Sequence, residues 1–352
     1  MSRKDDIRHI WTECFDDPEQ WVEWWFDRVY DDSQAMTVEV DGKTLSSLLL
    51  QQYRFAFHGA DMSAGYISGA ATRRSARGRG HMSALMVRAL KASRERGDML
   101  CTLIPAQDYL YFFYDRFGFS TVFYVDKQRF TSRHLFAGPG SYSEVADCFA
   151  PRVWEAMERM ERMRGDGVIH SRRDFINIID DLRHDPQSRF TAMADDDGNV
   201  CSMAWAVRYS DVVEVKELLA VDEAAAQAAL RSLRESFPDV SFRVLAPAQG
   251  QSRRLYSRGM GRIVNVEQCL RAVASANPDW YTVVRVTDRL LPENSHVYRC
   301  GDRRVEIDDT YSGHLDFYIS VEVLNCLVFS DATVGDITGF PSRRAHMALM
   351  LD

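Results

Sequence analysis

The sequence predicts a mixed α/β chain of three domains, two built on one repeated supersecondary order and the third a smaller α+β unit. Three observations carry this reading. The chain has 352 residues, more than one hydrophobic core usually spans. A strand, helix, strand order with an aromatic or glycine-containing close occurs twice, and the apolar pattern changes character past Trp280.

The first thirty residues predict two short helices: Ile7, Ile10, Trp11, Cys14 and Phe15 recur at helical spacing, Asp16-Asp17-Pro18 breaks the series, and Trp21 starts another. Next, two apolar runs flank Asp41-Gly42, a strong hairpin signal. Gly65–Thr72 predicts a strand that feeds an Arg/Gly segment, and Met82, Leu85, Met86 and Leu90 form one helical stripe. Met99–Ile104 predicts a strand stopped by Pro105, and Tyr109–Phe117 a short helix closing at Gly118, with a final strand taking the domain to about residue 130.

A weaker copy follows. Val213–Ala220 predicts a strand, Ala224–Phe237 a helix and Val240–Val244 a strand, while Tyr256-Ser257-Arg258-Gly259-Met260-Gly261 echoes Tyr114–Phe119. Between its strand and helix this copy has Val221–Ala226, with neither glycine nor arginine, so whatever the first loop binds the second should not. Past Trp280, Tyr281–Asp288, Val305–Ile307 and Phe317–Val323 predict strands with short turns.

Composition narrows the function. Apolar residues are 46% and charged residues 27%, an ordinary globular balance with no reservoir for disorder or coiled coil. No run of eighteen apolar residues occurs, and the N-terminal residues mix charge with apolar side chains, so the expectation is a soluble, cytoplasmic protein with no membrane partner. Seven cysteines without a C-x-x-C pair suit reduced thiols, and nine histidines without H-E-x-x-H or H-x-H spacing predict no metal. A net charge of −8 speaks against nucleic acid as a partner. Residues 72–96 are the exception, with eight arginines and lysines against Glu95 alone.

That stretch holds Arg77-Gly78-Arg79-Gly80-His81-Met82 between a strand and a helix. The first amides of a helix lack intrahelical partners and the macrodipole is positive there, so the place suits an anion. Glycines let backbone approach a phosphate and arginines add charge-assisted hydrogen bonds, which predicts a pyrophosphate cradle. G-x-x-x-x-G-K-[ST] is absent, and Gly78-Arg79-Gly80 is followed by His81, Met82 and Ser83 rather than G-x-G-x-x-G, so ATP and NAD lose their main support.

The segment resembles the acyl-CoA-binding motif of the GNAT N-acetyltransferases, Q/R-x-x-G-x-G/A, met at Arg77 and Gly80 and departing at Met82. Phe113-Tyr114-Asp115-Arg116-Phe117-Gly118-Phe119 looks like the F-Y-x-x-x-G-F signature that follows the next strand in that family. Tandem copies with only the first competent for cofactor resemble the Eis (enhanced intracellular survival) branch, where a bulky residue is common at the place of Met82.

This resemblance implies two tandem GNAT-like domains with mixed, mostly antiparallel central sheets flanked by helices, over residues 1–130 and 131–275, and a sterol-carrier-like domain over 276–352. It implies acetyl-CoA as co-substrate, held by Ala70, Ala71, Thr72, Arg77, Gly78, Arg79, Gly80, His81 and Met82, a primary amine as acceptor, and a homo-oligomer. Tyr114 becomes the general acid; periodicity alone does not separate it from Tyr111. The C-terminal carboxylate of Asp352 becomes the base, although an aromatic residue is frequent at that end in the family. In Trp24-Trp25-Phe26 most rings predict core, with Trp25 the candidate for lining an acceptor pocket. The acidic chain would attract cationic acceptors such as aminoglycosides, polyamines or lysine side chains. Two other classes stay open at this stage: a non-catalytic acyl-CoA or lipid binder, and a nucleic-acid-associated regulator using residues 72–96.

Overall fold

The computed structural model describes residues 2–248 and 254–349. In chain order the helices are α1 (Arg3–Cys14), α2 (Glu19–Arg28), α3 (His81–Glu95), α4 (Asp108–Asp115), α5 (Pro151–Arg164), α6 (Arg172–His184), α7 (Glu223–Ser236), α8 (Val266–Ala276), α9 (Val321–Val328) and α10 (Ala332–Thr338). The strands begin with β1 (Ala35–Val40), β2 (Lys43–Phe57), β3 (Ala60–Thr72), β4 (Leu100–Leu103), β5 (Ser120–Phe130), β6 (Ser143–Glu144), β7 (Gly167–Ile169) and β8 (Ser188–Ala194). They continue with β9 (Val200–Tyr209), β10 (Val212–Ala220), β11 (Ser241–Pro247), β12 (Tyr256–Ile263), β13 (Thr282–Thr287), β14 (Val297–Gly301), β15 (Arg304–Ile307) and β16 (Phe317–Ser320).

Contacts divide the chain into two compact units, one of residues up to 53, 58–122 and 259–343, the other of 54–57, 123–258 and from 344 on. In the first, Ser2 caps α1 in a reciprocal box with Asp5. Asp41 and Gly42 turn β1 into β2 with φ of 51° and 70°, the left-handed pair a two-residue hairpin requires. The strand order is β1-β2-β3-β4-β12. β3 and β4 run parallel, Ala64–Ile67 against Leu100–Leu103, joined by α3 as the crossover. The α3 stripe of Leu85, Met86, Ala89 and Leu90 packs on Leu48, Leu50, Ile67, Cys101 and Leu103, which is the core of this unit. Its later residues make a four-stranded sheet of order β15-β14-β13-β16, packed by α8 and α9.

Two local expectations are corrected here. Tyr256–Gly261, expected to echo the turn after α4, lies in β12, whose Met260–Ile263 pair antiparallel with Leu103–Leu100. Glycines at 259 and 261 suggested a turn, but tertiary pairing overrides that local preference. Phe317–Val323 is a strand only to Ser320, since Val321 opens α9 and packs inward with Leu324 and Val328. The elements α5, α6, α8, α10, β6, β7, β8, β9 and β14 were not anticipated at all.

The second unit repeats the crossover. β10 and β11 run parallel, Val212–Val215 against Ser241–Val244, joined by α7, in a sheet of order β5-β11-β10-β9-β8-β6. Ala228, Ala229, Leu230 and Leu233 of α7 pack on Val213, Val215, Phe242 and Val244. Both units therefore have mixed, mostly antiparallel sheets.

Within this second unit the segment from Arg344 is built in. His346 bridges Gly167 of β7, its amide donating to the Asp166 carbonyl at 2.9 Å, and Met347, Ala348 and Leu349 are buried. The His346 ring stands 3.4 Å from Glu217, whose carboxylate also takes the Arg164 guanidinium at 2.6 Å. Burial alone would raise the Glu217 carboxyl, but Arg164 and His346 more than offset it and hold the group far below the usual carboxylate range.

Because the folded-state value is depressed, this pair stabilises above the unfolded carboxyl's pKa and the contribution fades as pH falls through the folded one. Glu217→Gln strands the Arg164 charge, so urea melts at pH 7 should show a loss of about 3–5 kcal/mol. At pH 3.5 the gap to wild type should narrow by about 1 kcal/mol; a gap that stays constant with pH would refute the linkage.

Candidate active site

The Arg/Gly loop leaves the C-terminal end of β3. Pairing with β4 stops at Ile67–Leu103, so Ser68–Thr72 continue beyond the last β4 residue. Ala71 is buried and Ala70 and Thr72 partly so; Ser46 donates to the Ala71 carbonyl at 3.0 Å, and Cys14 donates to that of Thr72 at 3.3 Å.

Glu13 organises the entry to the loop. Its carboxylate accepts the Arg74 amide at 2.6 Å and pairs with Arg73 at 3.3 Å, while Arg73 also donates to the Thr44 carbonyl at 2.8 Å. The Arg77 guanidinium donates to the Thr72 carbonyl at 3.2 Å and contacts the Cys14 sulfur at 3.5 Å, remaining exposed. Arg79 is exposed and has no ion pair or hydrogen bond among the described residues. Gly78 and Gly80 take φ of 74° and 82°, and a Cβ on either would meet nothing within 4 Å, so their faces are open to a ligand.

Gly80 is the N-cap of α3 and supplies no side-chain cap, so the first-turn amides at His81, Met82 and Ser83 are available to an anion. The equivalent end of α7 is different: the Asp222 carboxylate accepts the Ala225 amide at 2.8 Å, and Glu223 adds a second negative charge. The second crossover carries its own anion at the place where the first leaves its amides uncapped.

The structure also thins the basic stretch. Arg88 donates to the Thr37 carbonyl, Arg94 to Asn294 and the Val264 carbonyl, and Arg96 to Asp98 and the Leu50 and Gln51 carbonyls. These side chains serve the fold. Among the described residues, the side chains of Arg74, Arg79 and Lys91 make no hydrogen bond or ion pair, and Arg77 is exposed while keeping the Thr72 carbonyl and the Cys14 sulfur.

Tyr114 lies on the last turn of α4, only 8% exposed, with its ring against Phe113 and Phe119. Burial, with a smaller contribution from Tyr109, pushes the phenol up to about 12. Tyr111 is partly buried against the same core, so burial separates the two tyrosines where spacing did not. Trp25 is buried and stacks on Trp11 at 4.7 Å and Trp21 at 6.4 Å. Asp352 lies outside the described residues. Among the described residues no group of three or more His, Cys, Asp or Glu is arranged to hold a metal ion, and no helix is long and apolar enough to cross a membrane.

The family model described as "Acetyltransferase (GNAT) domain" matches residues 2–122. These residues form a GNAT domain. GNAT acetyltransferases use acetyl-CoA as co-substrate, and the chain is accordingly an acyltransferase. No curated protein sequence matches it. Among solved structures it is similar to a protein from Enterococcus faecalis V583 described as a "Probable N-Acyltransferase", at 16% identity and TM-score 0.77, over 99% of this chain and 96% of that one. Eis1 from Mycobacterium abscessus aligns at 15% identity and TM-score 0.72, over 97% and 91%. A GCN5-related N-acetyltransferase from Kribbella flavida aligns at 17% and 0.73, over 97% and 94%. The fold is thus shared across nearly the whole length of the chain.

Glu13 plays a part here that sequence reasoning missed. Nothing in its local spacing marks it, because it acts on residues remote in the chain. The phenol offers a direct check: with 13Cζ-labelled tyrosine, the resonance missing from Tyr114→Phe should keep its protonated position at pH 10.5, where an ordinary phenol is more than half ionised. Movement below pH 10 would contradict the burial argument.

Proposed function

We propose that this GNAT chain transfers the acetyl group of acetyl-CoA to a primary amine of a cationic acceptor, with an aminoglycoside, a polyamine or a lysine-like amine as the class. The observation that carries the reading is the side-chain-free N-terminus of α3, bordered by Arg77 and Arg79 and open at both glycines. The diphosphate of acetyl-CoA would lie on the amides at 80–83, and Ala70, Ala71 and Thr72, beyond the end of β4, would meet its pantetheine amides as an added strand.

The acceptor must shed a proton first, since an amine with a pKa near about 10.4 is mostly charged at pH 7. The resemblance to Eis-type enzymes implies the carboxylate of Asp352 as that base. The neutral nitrogen attacks the thioester carbonyl, a C–N bond forms, and the oxyanion needs an N–H donor. Amides of Leu100–Leu103 lie in ladders on both sides, which favours Ile104, the first residue past the paired stretch. When the C–S bond breaks, the thiolate is met by Tyr114. A phenol held near 12 is about three to four units weaker as an acid than an alkyl thiol, so its contribution is a hydrogen bond to developing charge, with the solvent proton arriving later. Trp25, through the aromatic cluster it belongs to, would border the acceptor.

Domain boundaries near residues 130 and 275, a sterol-carrier-like final domain, a cytoplasmic location and a homo-oligomer complete the reading; they stand on the resemblance to Eis-type enzymes.

The test follows free thiol from acetyl-CoA with a panel of aminoglycosides, polyamines and lysine peptides. Neutralising Arg77 and Arg79 together should weaken acetyl-CoA binding about 30-fold, on the order of 2 kcal/mol. Tyr114→Phe should lower kcat by about 10²-fold with acetyl-CoA KM unchanged. Acetyl-CoA binding without thiol release on any amine would replace this reading with a non-catalytic carrier. Nucleic-acid affinity that falls steeply with salt would indicate the regulator instead.

A further inference from the structure

Arg262 is among the largest fully buried side chains of the chain, and the reaction as written makes no use of it. It projects from β12, and its Nε donates to the Phe117 carbonyl at 2.7 Å, its Nη1 to the Ile263 carbonyl at 3.1 Å, and its Nη2 to Asp288 at 2.6 Å. Asn325 of α9 comes from further away. Its Nδ2 donates to the Gly118 carbonyl at 3.0 Å, while its Oδ1 accepts the Ile263 amide at 2.9 Å, which ties it to the same strand.

Both donors end on one place, the consecutive carbonyls of Phe117 and Gly118 in the turn just past the C-terminal end of α4. Carbonyls of a turn have no ladder or helical donor, so when buried they need donors from elsewhere, and a buried guanidinium and an amide are suitable partners. α4 has only eight residues, too few to hold its own geometry in water, so its placement depends on contacts from outside. Tyr114 is one hydrogen bond from this clamp: its carbonyl accepts the Phe117 amide at 2.9 Å, and the Phe117 carbonyl is the one that Arg262 takes. Gly118, at φ 81°, leaves no room for a side chain, since a Cβ there would lie 3.0 Å from the Arg262 Nε and 3.3 Å from Glu322.

Asp288 is held in turn. It accepts the amides of Leu290 and Leu291 at 3.0 Å each and the Asn294 amide group at 2.9 Å. Asn294 accepts Arg94 of α3 at 2.7 Å. A continuous polar chain, buried except at the half-buried Arg94, thus runs from the cofactor helix, through residues 288–294, to the turn after the tyrosine helix.

The geometry points to Arg262 and Asn325 as positioning residues for acetyl transfer, fixing the end of α4 so that the Tyr114 hydroxyl stays aimed at the thioester sulfur. This rests on the reading of Tyr114 as the group that meets the thiolate.

The test is a double-mutant cycle. Arg262→Lys keeps a charge beside Asp288 but lacks the fork that reaches Phe117 as well. Asn325→Asp keeps the acceptor for Ile263 and turns the donor toward Gly118 into a second acceptor. Each is made alone and with Tyr114→Phe, and kcat, acetyl-CoA affinity by calorimetry and the thermal midpoint are measured. The expected result is a roughly tenfold loss of kcat in each single variant, with acetyl-CoA affinity within about twofold of wild type, and less than a twofold further loss once Tyr114 is Phe. An equal loss with and without the phenol, or a matching loss of acetyl-CoA affinity, overturns the positioning role. Full activity of Tyr114→Phe alone would instead overturn the reading of Tyr114 as the group that meets the thiolate, and is read before either clamp residue is touched. Should Arg262→Lys fail to fold, the Asn325 arm decides the outcome by the same criteria.

Discussion

The cofactor end of this chain depends on one constraint, the parallel pairing of Ala64–Ile67 with Leu100–Leu103. Parallel neighbours cannot be joined by a tight turn, so the chain must cross over through a helix, and α3 is that helix. A crossover of this kind puts the loop at the carboxyl end of the first strand and turns the helix N-terminus toward it. Every feature read as anion-binding follows: the amides at 80–83 converge because α3 starts there, and Ser68–Thr72 have an open side because β4 is shorter than β3.

The second unit shows that this backbone arrangement is necessary without being sufficient. β10, α7 and β11 repeat the crossover with the same parallel pairing. At its helix start, however, Asp222 and Glu223 stand where Gly80 and His81 stand in the first copy. A capping carboxylate takes the amide and cancels the dipole that a phosphate would use. One architecture thus has an uncapped helix start and a capped one, and side-chain charge at a single helix turn makes the difference.

The basic stretch illustrates how charge counted along a chain differs from charge offered to a ligand. Arg94 and Arg96 are spent on buried carbonyls, Asn294 and Asp98, and Arg73 on Glu13. The remaining loop arginines form a small patch suited to a diphosphate. A polyanion would need a wider face, because its affinity grows with the number of phosphates neutralised.

Much of the first unit was legible because its signals are local. The Asp41-Gly42 hairpin, the α3 stripe and the Arg/Gly loop each follow from dihedral preference, helical period or unpaired amides within a few residues of one another. The Asp222 cap could have been seen the same way. Other features had no local signature. Tyr256–Gly261 has the residues of a turn and becomes a strand because β4 offers it an edge. Tyr114 and Tyr111 share one helix and one chemistry, and only burial against Phe117 and Phe119 distinguishes them. Arg262 and Asn325 find the end of α4 from 145 and 207 residues away. Sequence alone determined where a helix starts without a capping side chain, since that property belongs to a few consecutive residues; which side chains meet the turn after the tyrosine helix was decided only when distant segments were packed together, because a buried donor is defined by the carbonyl it meets.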